Sequence, residues 1–486
     1  MSSITSKNVI ARSADSILLN DPMGSSFSRK EKILYGLTAG FFITLLLPDM
    51  PVINNFFTGG LFLFCWFYNK STDKRRALTH RKEIVLMLLF YCLHIISAFL
   101  SHNGQEAFKM LVLRVPLLVF PLSLGLLFIR AAVKDRIIQA YAAVVSLGAL
   151  VCVVYAWIRY ARTGDGVYLY NDSLTEALNI QSSYYALMVV LAVAGFIYLL
   201  GKGYFSGGQG VYVRGIIVLL LIFHFMLASR ISIFILYTGL LIVLGSHIIR
   251  HRKTALAQNR SERFVRRTDI GDMRKLGYFL DKTNSRILWL VIALAAGLGL
   301  CMKVLPKTMN RFRELEYPSY SFTSVAPESH YNGTLTPDQW NGANIRLAIW
   351  KCGWEVAQKH WLTGVQLGDK QDSLMEMYRE KGFTFALERK RNMHNNYLDI
   401  FCSFGMVGIA LFLLGYLVIP LWKAARMKDM LGLALLLAMV VSMSVEVYFD
   451  RSLGCLLMGF FFSFIAAYKG EGDATYNDDA PLRVVS

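Results

Sequence analysis

Residues 344–361, NIRLAIWKCGWEVAQKHW, gather residue types that can grip a charged, partly apolar ligand. Wound as a helix at about 100° per residue, the segment puts Arg346, Trp350, Trp354 and Trp361 on one stripe. Trp faces supply apolar area, and a guanidinium supplies a planar fork for phosphate oxygens. The stripe therefore suits a sugar or lipid ligand that carries phosphate. The same spacing also fits an amphipathic helix lying on a bilayer surface, with its Trp in the interfacial belt. Asn344 is a candidate N-cap, and Gly364 ends the helix. TGVQLGD follows, where Gly364 and Gly368 allow tight turns, and then a short helix around 371–381 and the basic run Arg389, Lys390, Arg391. His394-Asn395-Asn396 opens the next apolar stretch. An Asn there can cap a helix, and a His at the water boundary can exchange protons near neutral pH, which suits a general base. A passive interfacial His is the alternative.

The composition says what kind of scaffold must position these residues. Of 486 residues, 55% are hydrophobic and only 17% are charged, and the mean hydropathy is +0.43. Soluble domains carry about a quarter charged residues, so the bilayer is the expected solvent. A disordered chain, a small disulfide scaffold and a coiled coil are excluded. Apolar stretches near 33–48, 52–68, 84–100, 108–129, 137–158, 183–200, 211–228, 231–249, 287–304, 395–420, 430–448 and 453–468 each approach a membrane span. The expected fold is an all-α polytopic integral membrane protein of about twelve spans, with one large, partly helical outer loop between spans nine and ten. The first 32 residues are polar, and the first apolar stretch lacks a small-residue cleavage site, so no cleavable signal peptide is expected.

Charge placement sets the orientation. Fifty-one Lys and Arg against 33 Asp and Glu give a net charge of +18. Much of the excess sits in 69–83, 130–136 and 250–286, the last holding eleven basic and four acidic residues, whereas 101–107 has no Lys or Arg. That is the positive-inside pattern, and lipid contact accounts for the basic loops without nucleic acid. It divides the chain into a cytoplasmic tail 1–32, spans one to nine over 33–304, an outer loop 305–393, spans ten to twelve over 394–468 and a cytoplasmic tail 469–486. The outer loop is nearly balanced, at twelve basic and ten acidic residues. Cys352 is the only cysteine in it, so no disulfide framework is expected there.

Missing motifs narrow the chemistry further. There is no G-x-x-x-x-G-K-[ST], which excludes a P-loop, and no D-x-D that would hold a sugar nucleotide through a metal. No Cys or His pair has zinc spacing, and the first outer loop offers only Asp49 as an acid. No metal and no other cofactor is expected. Charges at membrane depth default to paired or functional roles: Arg114, Arg230 after Ser229, and Glu446, Asp450 and Arg451. Arg114 with Glu446 is a candidate structural ion pair, and His94 and His224 are expected to pack between helices.

The ordered set Ser229-Arg230, Arg346-x-x-x-Trp350, Gly364-x-x-x-Gly368 and His394-Asn395-x-Tyr397 with Gly405 and Gly408 resembles the O-antigen ligase and O-antigen polymerase superfamily. The resemblance is sharpest over about 340–410. It implies a metal-independent glycosyltransferase at the periplasmic face of the bacterial inner membrane. The implied donor is a glycan on undecaprenyl pyrophosphate; the acceptor is a hydroxyl of lipid A–core, for a ligase, or of a growing glycan, for a polymerase. Protein O-glycosylation shares the same residue set, and a lipid-glycan flippase is the reading from a different class, although transporters usually show related halves around a midplane site. Within the resemblance, Arg230, Arg346 and His394 are the expected catalytic residues. Trp350, Trp354, Gly364, Gly368, Asn395 and Arg391 are the expected substrate contacts.

Overall fold

The computed structural model describes residues 27–47, 50–205, 207–242, 245, 312, 315, 321–323 and 340–467. The expected ninth span, the basic segment 250–286, the C-terminal tail, Asp49 and most of 305–339 lie outside the described residues. Among those described there is no β-strand. The principal helices are α1 (Arg29–Leu45), α2 (Pro51–Tyr68), α3 (Ser71–His80), α4 (Lys82–Leu100), α5 (Gly104–Leu113), α6 (Pro116–Leu122) and α7 (Ala131–Thr163). They continue as α8 (Ser182–Gly201), α9 (Gly208–Met226), α10 (Arg230–Ile242), α11 (Asn344–Lys359), α12 (Lys370–Glu380), α13 (Asn396–Phe412), α14 (Met430–Ser442) and α15 (Ser452–Ala467). Among the described residues each expected span other than the ninth overlaps helix, the fourth as the two helices α5 and α6 and the eighth only over its described part. Six helical segments among the described residues are long and apolar enough to cross a membrane, while α2, α10, α14 and α15 are apolar but shorter.

The centre of the bundle is α8. Its residues Tyr184 to Ala192 are buried on every side, as an apolar helix without a polar face must be. It lies tightly against α7: a Cβ on Gly148 would meet the Tyr185 hydroxyl at 2.4 Å, and one on Gly195 would meet Ile138 at 2.7 Å. Small residues let the two backbones approach, as membrane helices require. Tyr141 and Tyr185 complete the seam by donating to the carbonyls of Met188 and Val145 at 3.1 and 2.8 Å. Phe460 of α15 contacts Phe41, Phe42 and Phe120 with ring centroids 5.0–5.7 Å apart.

One end of the bundle is belted by ion pairs: Arg130–Glu31, Lys134–Asp429, Lys202–Asp135 and Lys423–Glu83, at 2.5–3.0 Å. Since α8 runs from Ser182 to this belt, the Ser182 end is the opposite one. There residues 340–393 form a helical cap with its own core, in which Ile349, Cys352, Tyr378 and Phe383 pack together with Cys402 of α13.

Two breaks let the cap descend into the bundle. Helix α13 kinks at Gly405, whose φ is +60°. The polar groups this frees bond to the incoming strand of chain: Val365 N–H to Cys402 O at 2.8 Å, Gln366 N–H to Ser403 O at 3.1 Å, and Met406 N–H to Trp361 O at 2.8 Å. Irregular backbone at this depth needs such partners. The approach is so close that a Cβ on Gly364 (φ +70°) would lie 2.4 Å from Ser403 backbone atoms. The other break separates α5 from α6 at Arg114, where Pro116 starts the next helix.

Candidate active site

The cap helix α11 begins one turn after Asn341, and it is Asn341, not Asn344, that caps it. The Asn341 side chain accepts from Ala343 N–H and Asn344 N–H at 2.9 and 3.0 Å, and Asn344 answers by accepting from Asn341 N–H at 2.7 Å. This anchoring aims the first turn of α11, carrying Arg346, towards the start of α10. The α9–α10 turn passes through Ala228 at φ +52°. Ser229 and Ser232 bond through their hydroxyls at 3.0 Å, which leaves Arg230 on the first turn of α10.

Between these elements lies a cavity of about 460 Å³, within the roughly 300–1,000 Å³ typical of small-molecule sites. Arg230, Arg346 and Trp350 line it together, with Phe234 and Leu347 on an apolar side. Arg346 is steadied by donating from Nη1 to Gly342 O at 3.1 Å. Trp350 Nε1 is buried and has no hydrogen-bond partner among the described residues, so its one donor remains for an occupant.

Glu446 also lines the cavity and is only 5% exposed. Helix α14 ends at Ser442, short of the expected 448, which puts Glu446 in the turn that follows it. That turn is held from two sides, by Asn396 N–H donating to Met443 O at 2.8 Å and by the Tyr184 hydroxyl donating to Val447 O at 3.1 Å. Glu446 Oε1 lies 3.5 Å from His394 Nδ1. Burial pushes the Glu446 carboxyl up, but the His394 ring and the Arg346 charge outweigh it and hold the carboxyl below its ordinary range.

His394 itself is not among the lining residues and reaches the cavity through Glu446. Its Nδ1 is the buried nitrogen, so the residual exposure of the side chain, 16%, lies on the rest of the ring. With a carboxylate facing Nδ1, the tautomer with the proton on Nδ1 is favoured and Nε2 keeps its lone pair. The backbone at His394 is left-handed, with φ +46°. That costs a non-glycine residue about 1–2 kcal/mol. It is stabilised by Asn392, whose side chain accepts from His394 N–H at 3.3 Å, and by Asn395, which caps α13 by accepting from Tyr397 and Leu398 N–H at 3.0 and 3.1 Å.

The remaining expected contacts stand elsewhere. Trp354 is 47% exposed and leans on Phe401, and Trp361 lies beyond the end of α11, so the four-residue stripe divides. Gly364 serves the close approach to α13. Gly368 does the same against α5, where a Cβ would meet Asn103 O at 2.4 Å. Asn395 acts as the helix cap, and the Arg391 guanidinium lies 5.8 Å from the Phe385 ring. None of Trp354, Gly364, Gly368, Asn395 and Arg391 lines the cavity. Close packing accounts for the positions of Gly364 and Gly368, and helix capping for that of Asn395.

The expected Arg114–Glu446 pair does not form. Arg114, fully buried, sits 3.3 Å from Asp399 and 3.0 Å from Asp450, while Lys370 of the cap donates to the same two carboxylates at 2.6 Å each. Two cations and two anions thus neutralise one another and pin α12 to the membrane helices. His94 completes the cluster, its Nε2 3.1 Å from Arg114 Nη1. His94 and His224 are both fully buried, as expected.

Residues 215–413 match the family model described as O-Antigen ligase. The matched stretch is less than half of the chain, and it contains Arg230, Arg346, Trp350 and His394 but not Glu446. It supports the O-antigen ligase superfamily, whose chemistry is glycan transfer of the ligase or polymerase kind. A comparison with curated proteins gave no match.

Proposed function

We propose that this chain transfers O-antigen or a related polysaccharide from an undecaprenyl-pyrophosphate carrier to a hydroxyl of lipid A–core, at the periplasmic face of the inner membrane. The observation that carries the reading is the convergence of Arg230, Arg346 and Trp350 on one cavity that is also lined by Glu446, the carboxylate facing His394 at 3.5 Å. The arginines bind the pyrophosphate and neutralise the charge that grows on it as the anomeric C–O bond breaks. His394 Nε2 takes the proton of the attacking acceptor hydroxyl, and Glu446 stabilises the imidazolium that forms. The proton then passes to water or to the departing lipid pyrophosphate. No metal is needed, because two guanidiniums supply the positive charge. The Lys- and Arg-rich segments 69–83 and 130–136 lie at the opposite end of the bundle, which fits a cytoplasmic face, and twelve spans put both tails on that side.

Lipid A–core as acceptor is the reading closest to the description of the matched family. A lipopolysaccharide gel of a deletion strain tests it. Core devoid of O-antigen, with glycan left on its carrier, is the expected result. Core bearing a single repeat would assign the chain to polymerisation instead.

A further inference from the structure

The cavity is also lined by Asn171, Asp172, Gln181, Ser182 and Ser183, which belong to the connection from α7 to α8 and the start of α8. Neither composition nor motif singles these residues out. We propose that this wall seats the first sugar of the donor, the pyranose whose anomeric carbon bears the pyrophosphate. The proposal rests on the reading of Arg230 and Arg346 as the pyrophosphate site.

The chemistry of the two walls differs in the way such a donor requires. Among the described lining residues the cations are Arg230 and Arg346, and neither belongs to the 171–183 connection. That connection offers a carboxylate, carboxamides and hydroxyls. A carboxylate repels phosphate but accepts hydrogen bonds from sugar hydroxyls, so this wall favours a neutral polyol. A glycosyl pyrophosphate joins the two by a single C–O–P link. A cavity that holds its phosphates on one wall must therefore hold its first ring beside them.

The wall is also built in advance. Asp172 Oδ1 accepts from Ser182 N–H at 2.7 Å, and the Ser182 hydroxyl donates to Asn171 Oδ1 at 2.8 Å. Thr175, fully buried, closes the loop by donating to Ile180 O at 2.5 Å. Asn171 holds a left-handed turn at φ +57°, a conformation its short polar side chain tolerates. These ties fix the loop to the start of the buried helix α8, so little ordering remains to be done on binding. Finally, Ser183 Oγ is buried with no hydrogen-bond partner among the described residues. A buried hydroxyl of this kind calls for a partner, and a sugar hydroxyl in the cavity supplies one.

The test uses the purified full chain in nanodiscs and two probes, undecaprenyl pyrophosphate and undecaprenyl-pyrophosphoryl N-acetylglucosamine. Asp172→Asn keeps the oxygen that caps Ser182 and removes the second anionic one, and Ser183→Ala removes only the hydroxyl. The parent should bind the glycosylated lipid the more tightly. Asp172→Asn should cut that preference about tenfold and Ser183→Ala about fivefold, the ordinary worth of such bonds, with affinity for the bare lipid unchanged in Ser183→Ala and not weakened in Asp172→Asn. An unchanged preference in both variants, or no preference in the parent, overturns the assignment. So does a raised acceptor KM with an intact donor preference, which would move the wall to the acceptor. Arg346→Gln should weaken both probes equally. If it weakens neither while Asp172→Asn still lowers the preference, the pyrophosphate reading fails and the sugar wall stands.

Discussion

Replacing Glu446 with Gln preserves the shape of the side chain and removes the charge that faces His394. At 3.5 Å and an effective dielectric of about 20, a carboxylate attracts an imidazolium by about 5 kcal/mol. Arg346 shares the same carboxylate, so about half to four-fifths of that attraction should be felt by the proton-bearing ring, or about 10²- to 10³-fold in rate. The loss should appear in kcat, since the imidazolium exists only once the acceptor proton has moved, and donor affinity should change little. Single-turnover transfer by purified protein, with donor binding measured separately, reads both quantities. A kcat within about threefold of the parent would refute the pairing as a catalytic device. The same variant makes a stability test. The folded-state pKa of Glu446 is depressed below its ordinary 4.5. Its stabilising contribution is therefore fully present above that pH and is lost as pH falls through the lower folded value. The difference in melting temperature between parent and Glu446→Gln should be present at about pH 5 and shrink as pH falls below about 4.5.

Arg346→Lys keeps the charge but loses the planar fork, so transfer should fall severely in the purified enzyme, and near-parental activity would remove Arg346 from the pyrophosphate site. Gly364→Ala puts a Cβ 2.4 Å from the Ser403 backbone at a φ of +70°. It should cost about 2–4 kcal/mol, read as a lowered melting temperature in detergent, and an unchanged midpoint would contradict the close approach of cap and α13. Lys370→Met leaves Asp399 and Asp450 to share Arg114 alone, a loss of about 3–5 kcal/mol. Adding Asp450→Asn should recover part of it, whereas equal melting of parent and Lys370→Met would show that the cluster carries no load.

The helical plan was legible because the bilayer imposes it. Apolar stretches long enough to span coincide with helices wherever the chain is described, and the burial of His94 and His224 followed from their place within such stretches. Arg230, Arg346 and Trp350 were legible as residue types, and the cavity that joins them needed the fold. Helical periodicity put Trp354 and Trp361 with Arg346, but the helix ends at Lys359 and its faces divide between cavity, cap core and solvent. Gly364 and Gly368 stood out as turn formers. Their actual use, close backbone contact with a broken helix and with α5, depends on partners far away in sequence. Arg114, Asp399, Lys370 and Asp450 come from four separate segments, so no spacing rule could pair them. The polar wall at 171–183 carries no pattern at all, because sugar contacts ask only for common polar side chains.

The central claim is that His394 accepts the acceptor's proton while the arginines hold the lipid pyrophosphate. The most direct measurement is transfer by purified His394→Gln, in parallel with its binding of undecaprenyl pyrophosphate. Gln keeps the polar bulk and cannot take up a proton. The account predicts parental binding and a loss of transfer of about 10²–10⁴-fold, the usual worth of a general base. Transfer within a few-fold of the parent would contradict it, and would leave His394 a structural residue at the start of α13.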